Sequence, residues 1–157
     1  MRRSGLLLAF ALALGLLTSD ATAQTWVEAG PRVGFDVGNV EELLIGAEAR
    51  IGHDELTIEV QPALDVYLAE NGSFVTLSTN VLYLLPVEEE RFTPYAGAGL
   101  GFSFYDVDGE DQSDTGFNLV GGFRFHAERA FTPFVQTQVT LGEVDLIAIT
   151  GGLLFGL

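Results

Sequence analysis

Along most of this chain, apolar side chains fall on every second residue. The pattern runs through Val33, Phe35 and Val37, through Leu43, Ile45, Ala47, Ala49 and Ile51, and on to Ile147, Ile149, Leu153, Phe155 and Leu157. A period of two sends successive side chains to opposite faces of an extended strand, whereas a helix needs a period near 3.6. Past the first two dozen residues no window of useful length shows the helical period, so strands are the only regular element left. Turn-forming clusters at Gly38–Glu42, Gly52–Glu55, Ala69–Gly72, Pro86–Arg91, Asp106–Thr115, Ala127–Ala130 and Gly142–Asp145 divide the chain. Seven turns make eight strands, which predicts an all-β fold, an eight-stranded antiparallel up-and-down β-barrel. Most strands span roughly 9 to 13 residues. That exceeds the ~5–6 of an ordinary soluble strand and suits a tilted strand that crosses a bilayer in ~9–11.

The two faces differ in kind. One is apolar and carries no charge. The other holds Arg32, Asp36, Glu48, Arg50, Glu59, Asp65 and Arg124, together with Gln61, Asn80, Asn118, Gln136 and Gln138 and many glycines. Alternation alone leaves the orientation open, because a soluble barrel hides its apolar face and a membrane barrel shows it to lipid. The polar face makes a poor solvent surface: its fifth strand offers Tyr95, Gly97, Gly99, Gly101 and Ser103, and its eighth Leu146, Ala148, Thr150, Gly152 and Leu154. Such strips suit the wall of a narrow lumen, where missing side chains leave room for long ones from other strands. A basic residue at the lipid midplane costs ~2–4 kcal/mol, a reason for the other face to hold none. The expected fold is therefore a transmembrane barrel, with the charged residues paired in a polar lumen. The alternatives are a secreted soluble calycin-like barrel binding an apolar ligand, a lipid-modifying enzyme and a narrow ion pathway.

The first 23 residues read as a cleaved secretory signal. Arg2 and Arg3 precede an apolar run from Gly5 to Leu17, and Ala21-Thr22-Ala23 supplies the small residues of a cleavage site before Gln24. The run is shorter than the ~20 apolar residues of a spanning helix. Residues 24–157 are then the barrel domain. With no cysteine in 157 residues, disulfides and thiolate metal sites are excluded. Twenty-two acids against seven arginines and no lysine, a net charge of −15, argue against nucleic acid, whose affinity rests on basic residues at phosphates.

Two motifs resemble a known family. The run Thr93-Pro94-Tyr95-Ala96-Gly97-Ala98-Gly99-Leu100-Gly101-Phe102 is similar to the glycine-rich strand of small bacterial outer-membrane β-barrel proteins of the OmpA and OmpX types. Thr150, Gly152, Phe155 and Leu157 resemble that family's C-terminal assembly signature, with Leu157 where the family usually ends in Phe. The resemblance implies a location in the bacterial outer membrane, with the lipid bilayer and the outer-membrane assembly machinery as partners. It also implies periplasmic termini, which puts the 38–42, 69–72, 106–115 and 142–145 connections outside the cell, the longest among them. The pattern sets no oligomeric state.

Asp106, Asp108, Glu110, Asp111 and Asp114 offer oxygen ligands of the kind calcium takes, but they fail the EF-hand pattern at its glycine and terminal glutamate. The expected role is a solvated loop, with weak calcium binding as the alternative and no other cofactor. The two histidines, His53 and His126, have no nucleophile beside them in sequence, so no enzyme is expected. Gly97, Gly99 and Gly101 alternate within a strand rather than opening a helix, which excludes a phosphate-binding loop. A repeated Glu-Arg…Phe-Thr-Pro-aromatic stretch, at Glu90–Tyr95 and Glu128–Phe134, opens two alternate strands at one rim.

Overall fold

The computed structural model describes residues 25–68, 74–88, 91–107, 109–126 and 130–157. The expected signal segment lies outside them. Eight strands follow in order: β1 Thr25–Asp36, β2 Leu43–His53, β3 Ile58–Tyr67, β4 Phe74–Leu84, β5 Phe92–Val107, β6 Glu110–Phe125, β7 Phe131–Leu141 and β8 Leu146–Gly156. Each pairs antiparallel with its neighbours in sequence, and β1 pairs with β8 to close the barrel. Closure leaves no sheet edge to template aggregation.

Every pair keeps one register from end to end, so no bulge flips a side chain between faces. Two ladders are interrupted where a proline lacks its donor. The β1–β8 partners skip Gly30 and Pro31, and the β2–β3 partners skip Gln61 and Pro62.

Alternation sorts the side chains completely. Outside lie exposed residues such as Val33, Leu43, Leu100, Phe117 and Leu119; inside lie buried arginines, carboxylates and amides. The outer face of the strands is free of charge except at Asp106 and Asp111, which flank the tip of one hairpin. Aromatic rings gather on the outside at the end that carries the termini: Phe92 meets Phe123 edge-on at 5.6 Å, and Phe131 lies 6.1 Å from Phe155. Tyr95 and Phe134, from the same repeated stretches, point into the barrel.

One expected loop is a strand pair. Residues 106–115 belong to the β5–β6 hairpin, whose register runs through Phe102↔Thr115 to Val107↔Glu110. Both strands reach 16 residues, and Gly109 turns between them at φ 83°. A dense acidic run reads as loop, yet each strand supplies the other's backbone partners, and charged side chains tolerate a paired strand that stands in water. Asp108-Gly109 is itself a two-residue hairpin signal.

Candidate functional site

An eight-stranded barrel has an interior just wide enough for side chains to fill. Here it is built in layers. The middle is ionic. Arg32 on β1 reaches Glu48 Oε2 on β2 at 2.9 Å and Asp65 Oδ1 on β3 at 2.7 Å, with a second bond to the same Asp65 carboxylate. Arg50 holds Glu48 Oε1 at 2.6 Å and Glu59 Oε2 at 3.3 Å. Arg124, on β6, pairs with Glu59 and Glu28. The result is a single alternating chain, Asp65–Arg32–Glu48–Arg50–Glu59–Arg124–Glu28, in which every arginine sits between two carboxylates.

The parity of β1 that places Arg32 inward also places Glu28 inward, and Glu28 belongs to this chain although sequence reasoning did not single it out. Asp36 shares that parity but does not join the ion pairs. It ends β1, so its carboxylate meets loop backbone: Oδ1 accepts from Gly38 N at 3.0 Å and Val40 N at 3.2 Å, and Oδ2 from Ile147 N at 2.8 Å. Asp36 ties the 37–42 turn to β8.

Amides extend the network toward the opposite wall. Gln61 donates to Glu48 at 3.1 Å and to Gln136 at 2.9 Å, and Asn80 donates to Gln61 at 3.0 Å and Gln138 at 3.2 Å. Asn118 donates to Asn80 at 2.9 Å and accepts from Thr140 at 2.8 Å.

Three inward aromatic rings each lie against a glycine directly across the strand pair: Trp26 on Gly52, Tyr95 on Gly122 and Phe134 on Gly152. A methyl group at Gly152 or Gly122 would come within 2.7 Å of the ring, and at Gly52 closer still. Missing side chains thus let rings lie flat along the wall and leave the axis to the arginines. Arg50 stacks over Tyr95 at 4.7 Å and Phe134 at 5.3 Å, and Arg124 over Trp26 at 5.4 Å. Stacking on an aromatic face stabilises a desolvated guanidinium. One apolar cluster, Leu44, Tyr67, Phe74, Leu146 and Ala148, lies toward the end away from the termini, and a second, Leu82, Tyr95 and Val120, lies on the β4–β6 wall level with Glu59.

The remaining sequence candidates lie elsewhere. Asp106 Oδ1 accepts from Gly109 N at 2.9 Å, and Asp114 Oδ2 from Glu143 N at 2.8 Å and Val144 N at 3.2 Å, so these carboxylates are engaged in tying turns together. Glu110 and Asp111 are exposed, and Asp108 lies outside the described residues. Among the described residues no three His, Asp or Glu are grouped to hold a metal. His126 Nε2 meets Thr93 Oγ1 at 2.7 Å, an exposed pair that sequence separation concealed, and His53 Nδ1 accepts from Glu55 N at 3.3 Å. Of the chain-end motif, Thr150 and Gly152 face inward, while Phe155 and Leu157 are exposed.

No protein-family model and no curated protein matches the chain. Solved structures do. The N-terminal β-barrel domain of Pseudomonas aeruginosa OprF superposes with a TM-score of 0.70 at 17% identity, covering 85% of this chain and 98% of that one. Neisserial surface protein A (NspA) gives 0.62 at 13% identity, covering 85% and 97%. Ail, the attachment invasion locus protein of Yersinia pestis, in complex with the heparin analogue sucrose octasulfate, gives 0.58 at 13%, covering 85% and 98%. The fold is that of the small eight-stranded outer-membrane β-barrels.

Proposed function

We propose that this chain is an integral outer-membrane barrel with a filled, non-conducting lumen, serving a structural or surface-interaction role rather than catalysing a reaction. The observation that carries the reading is the inversion of a soluble protein's layout. Val33 is 62% exposed, Leu43 57% and Leu100 51%, while Arg50 and Asp36 are 0% exposed. Each large apolar side chain left in water forgoes ~1.5–3 kcal/mol of burial, so a belt of them is stable only against another apolar phase. A soluble calycin-like barrel would keep that belt inside, and the likeness to outer-membrane barrels disfavours it further.

In this reading residues 1–23 direct export, and β8 with its Thr150, Gly152, Phe155 and Leu157 presents the chain to the assembly machinery. The termini face the periplasm, and the short connections at the other end face outward. An alternating ionic chain across the axis, with an apolar cluster between it and the end away from the termini, supports a plug rather than a pore. Cell fractionation with detergent extraction tests the placement: the chain should sediment with outer membranes, and after refolding in detergent should migrate differently on SDS gels before and after boiling. Recovery as a folded monomer in plain buffer would overturn the reading. Planar-bilayer recording tests the plug, with no steady conductance expected.

A further inference from the structure

Three buried side-chain atoms inside the barrel have no hydrogen-bond partner among the described residues: Ser78 Oγ, Gln136 Nε2 and Thr150 Oγ1. Their residues are each 2% exposed, and all three line one cavity of about 10 Å³. The orientation of Gln136 is set by its other end. Its Oε1 accepts from Gln61 Nε2 at 2.9 Å, Tyr95 Oη at 3.0 Å and Arg50 Nη2 at 3.3 Å, so the amide nitrogen is turned away from that cluster with its protons unused. Thr150 is the direct cross-strand neighbour of Gln136, and Ser78 projects from β4. A cavity of about this size with two to four polar partners holds a water molecule, whereas an apolar one of the same size stays dry.

We propose that this cavity is a water-binding site. Ordered water in it accepts from Gln136 Nε2 and hydrogen-bonds to the hydroxyls of Thr150, the cross-strand neighbour of Gln136, and of Ser78 on the facing strand β4. Leu146, Ala148 and Tyr67 line its side nearer the end away from the termini, and the paired Arg32 and Asp65 also line it. The site is independent of which end of the barrel faces the cell surface and of whether the lumen conducts.

Thr150→Val and Ser78→Ala test this in the full mature chain refolded in detergent micelles, with heat-shifted gel mobility as the check on folding. Val keeps the shape of Thr and removes only the hydroxyl. If the hydroxyls hold a water, each substitution lowers the urea midpoint. If the cavity is dry, each removes an unpaired buried hydroxyl and the midpoint rises. A rise, or no change, in either variant overturns the proposal. A high-resolution crystal structure of the unaltered chain gives a second readout: density for a water within hydrogen-bond distance of Gln136 Nε2 supports the site, and an empty cavity overturns it.

Discussion

The interior has two unlike walls. Strands β1, β2 and β3 contribute Glu28, Arg32, Asp36, Glu48, Arg50, Glu59 and Asp65, while β4 to β8 line the lumen with amides, hydroxyls, glycines and apolar residues and carry inward charge only on β6, at Arg124 and, by the hairpin, at Glu110 and Asp114. Arg124 is the one charge from the second wall that joins the ion-pair chain. The difference shows how a narrow lumen accommodates guanidinium groups. Each arginine needs two carboxylates within reach, which adjacent strands provide. Its stem and ring partners need space, which glycines provide, Gly52 on the first wall and Gly122 and Gly152 on the second. The first wall supplies charge balance, and the second supplies most of the room.

The sharpest way to break this division is Glu48→Gln. Glu48 serves Arg32 and Arg50 at once and accepts from Gln61. Its neutralisation leaves two buried arginines each short of a carboxylate, a loss expected at ~3–5 kcal/mol. Urea unfolding in micelles or vesicles measures it. A loss below that expected for a neutral amide on the other wall would mean that the ionic wall is not held by its charges.

Arg124→Met follows in size. Arg124 pairs with carboxylates of β1 and β3 from its place on β6, so its bonds exist only in the closed barrel. Glu28 and Arg124 lie nearer the rim than Glu48 and are partly exposed, and Glu59 keeps Arg50. The expected loss is ~1.5–3 kcal/mol, the range for hydrogen bonds to charged groups. Its sign decides whether the single crossing charge stabilises closure: a variant as stable as the parent would make the two walls independent.

Gly152→Ala probes the room rather than the charge. The added methyl meets the Phe134 ring at 2.7 Å and also the Pro31 carbonyl, overpacking expected to cost ~1–3 kcal/mol. Adding Phe134→Leu removes the ring contact but leaves the carbonyl, so partial recovery is the expected outcome of the double variant. Because refolding in detergent involves no assembly machinery, a loss there gives this glycine a packing role apart from any part in recognition. Unchanged stability of the single variant would show that the ring does not need the glycine.

Parity carried most of this arrangement. Arg32, Glu48, Arg50, Glu59, Asp65 and Arg124 share an inward phase that a period-two reading of each strand exposes, and so does Glu28, four residues before Arg32 on the same face. What parity cannot supply is register between strands. That Trp26 faces Gly52, or Phe134 faces Gly152, depends on where each turn begins to within one residue, and composition blurs turn boundaries. The 106–115 segment shows the blur directly, since its charges outweighed the Asp108-Gly109 turn signal at its centre. Asp36 is a different case: its phase was readable, but its partners are loop amides brought near by the 37–42 turn and by β8, contacts that no spacing along β1 encodes.

Asn118→Ala is the smallest expected change and sets the baseline for the neutral wall. Asn118 bridges Asn80 and Thr140, all uncharged. Its removal frees Asn80 Oδ1 and the Thr140 hydroxyl, but Asn80 keeps its bonds to Gln61 and Gln138, and Gln138 still donates to Thr140 at 3.4 Å. Neutral groups with surviving partners lose about 0.5–1.5 kcal/mol per bond, against the much larger loss at Glu48. The two midpoints, measured in the same detergent, give the contrast between the walls as one difference. If Asn118→Ala costs as much as Glu48→Gln, the lumen is one cooperative network whose strength does not follow formal charge, and the division into a charged wall and a roomy one fails.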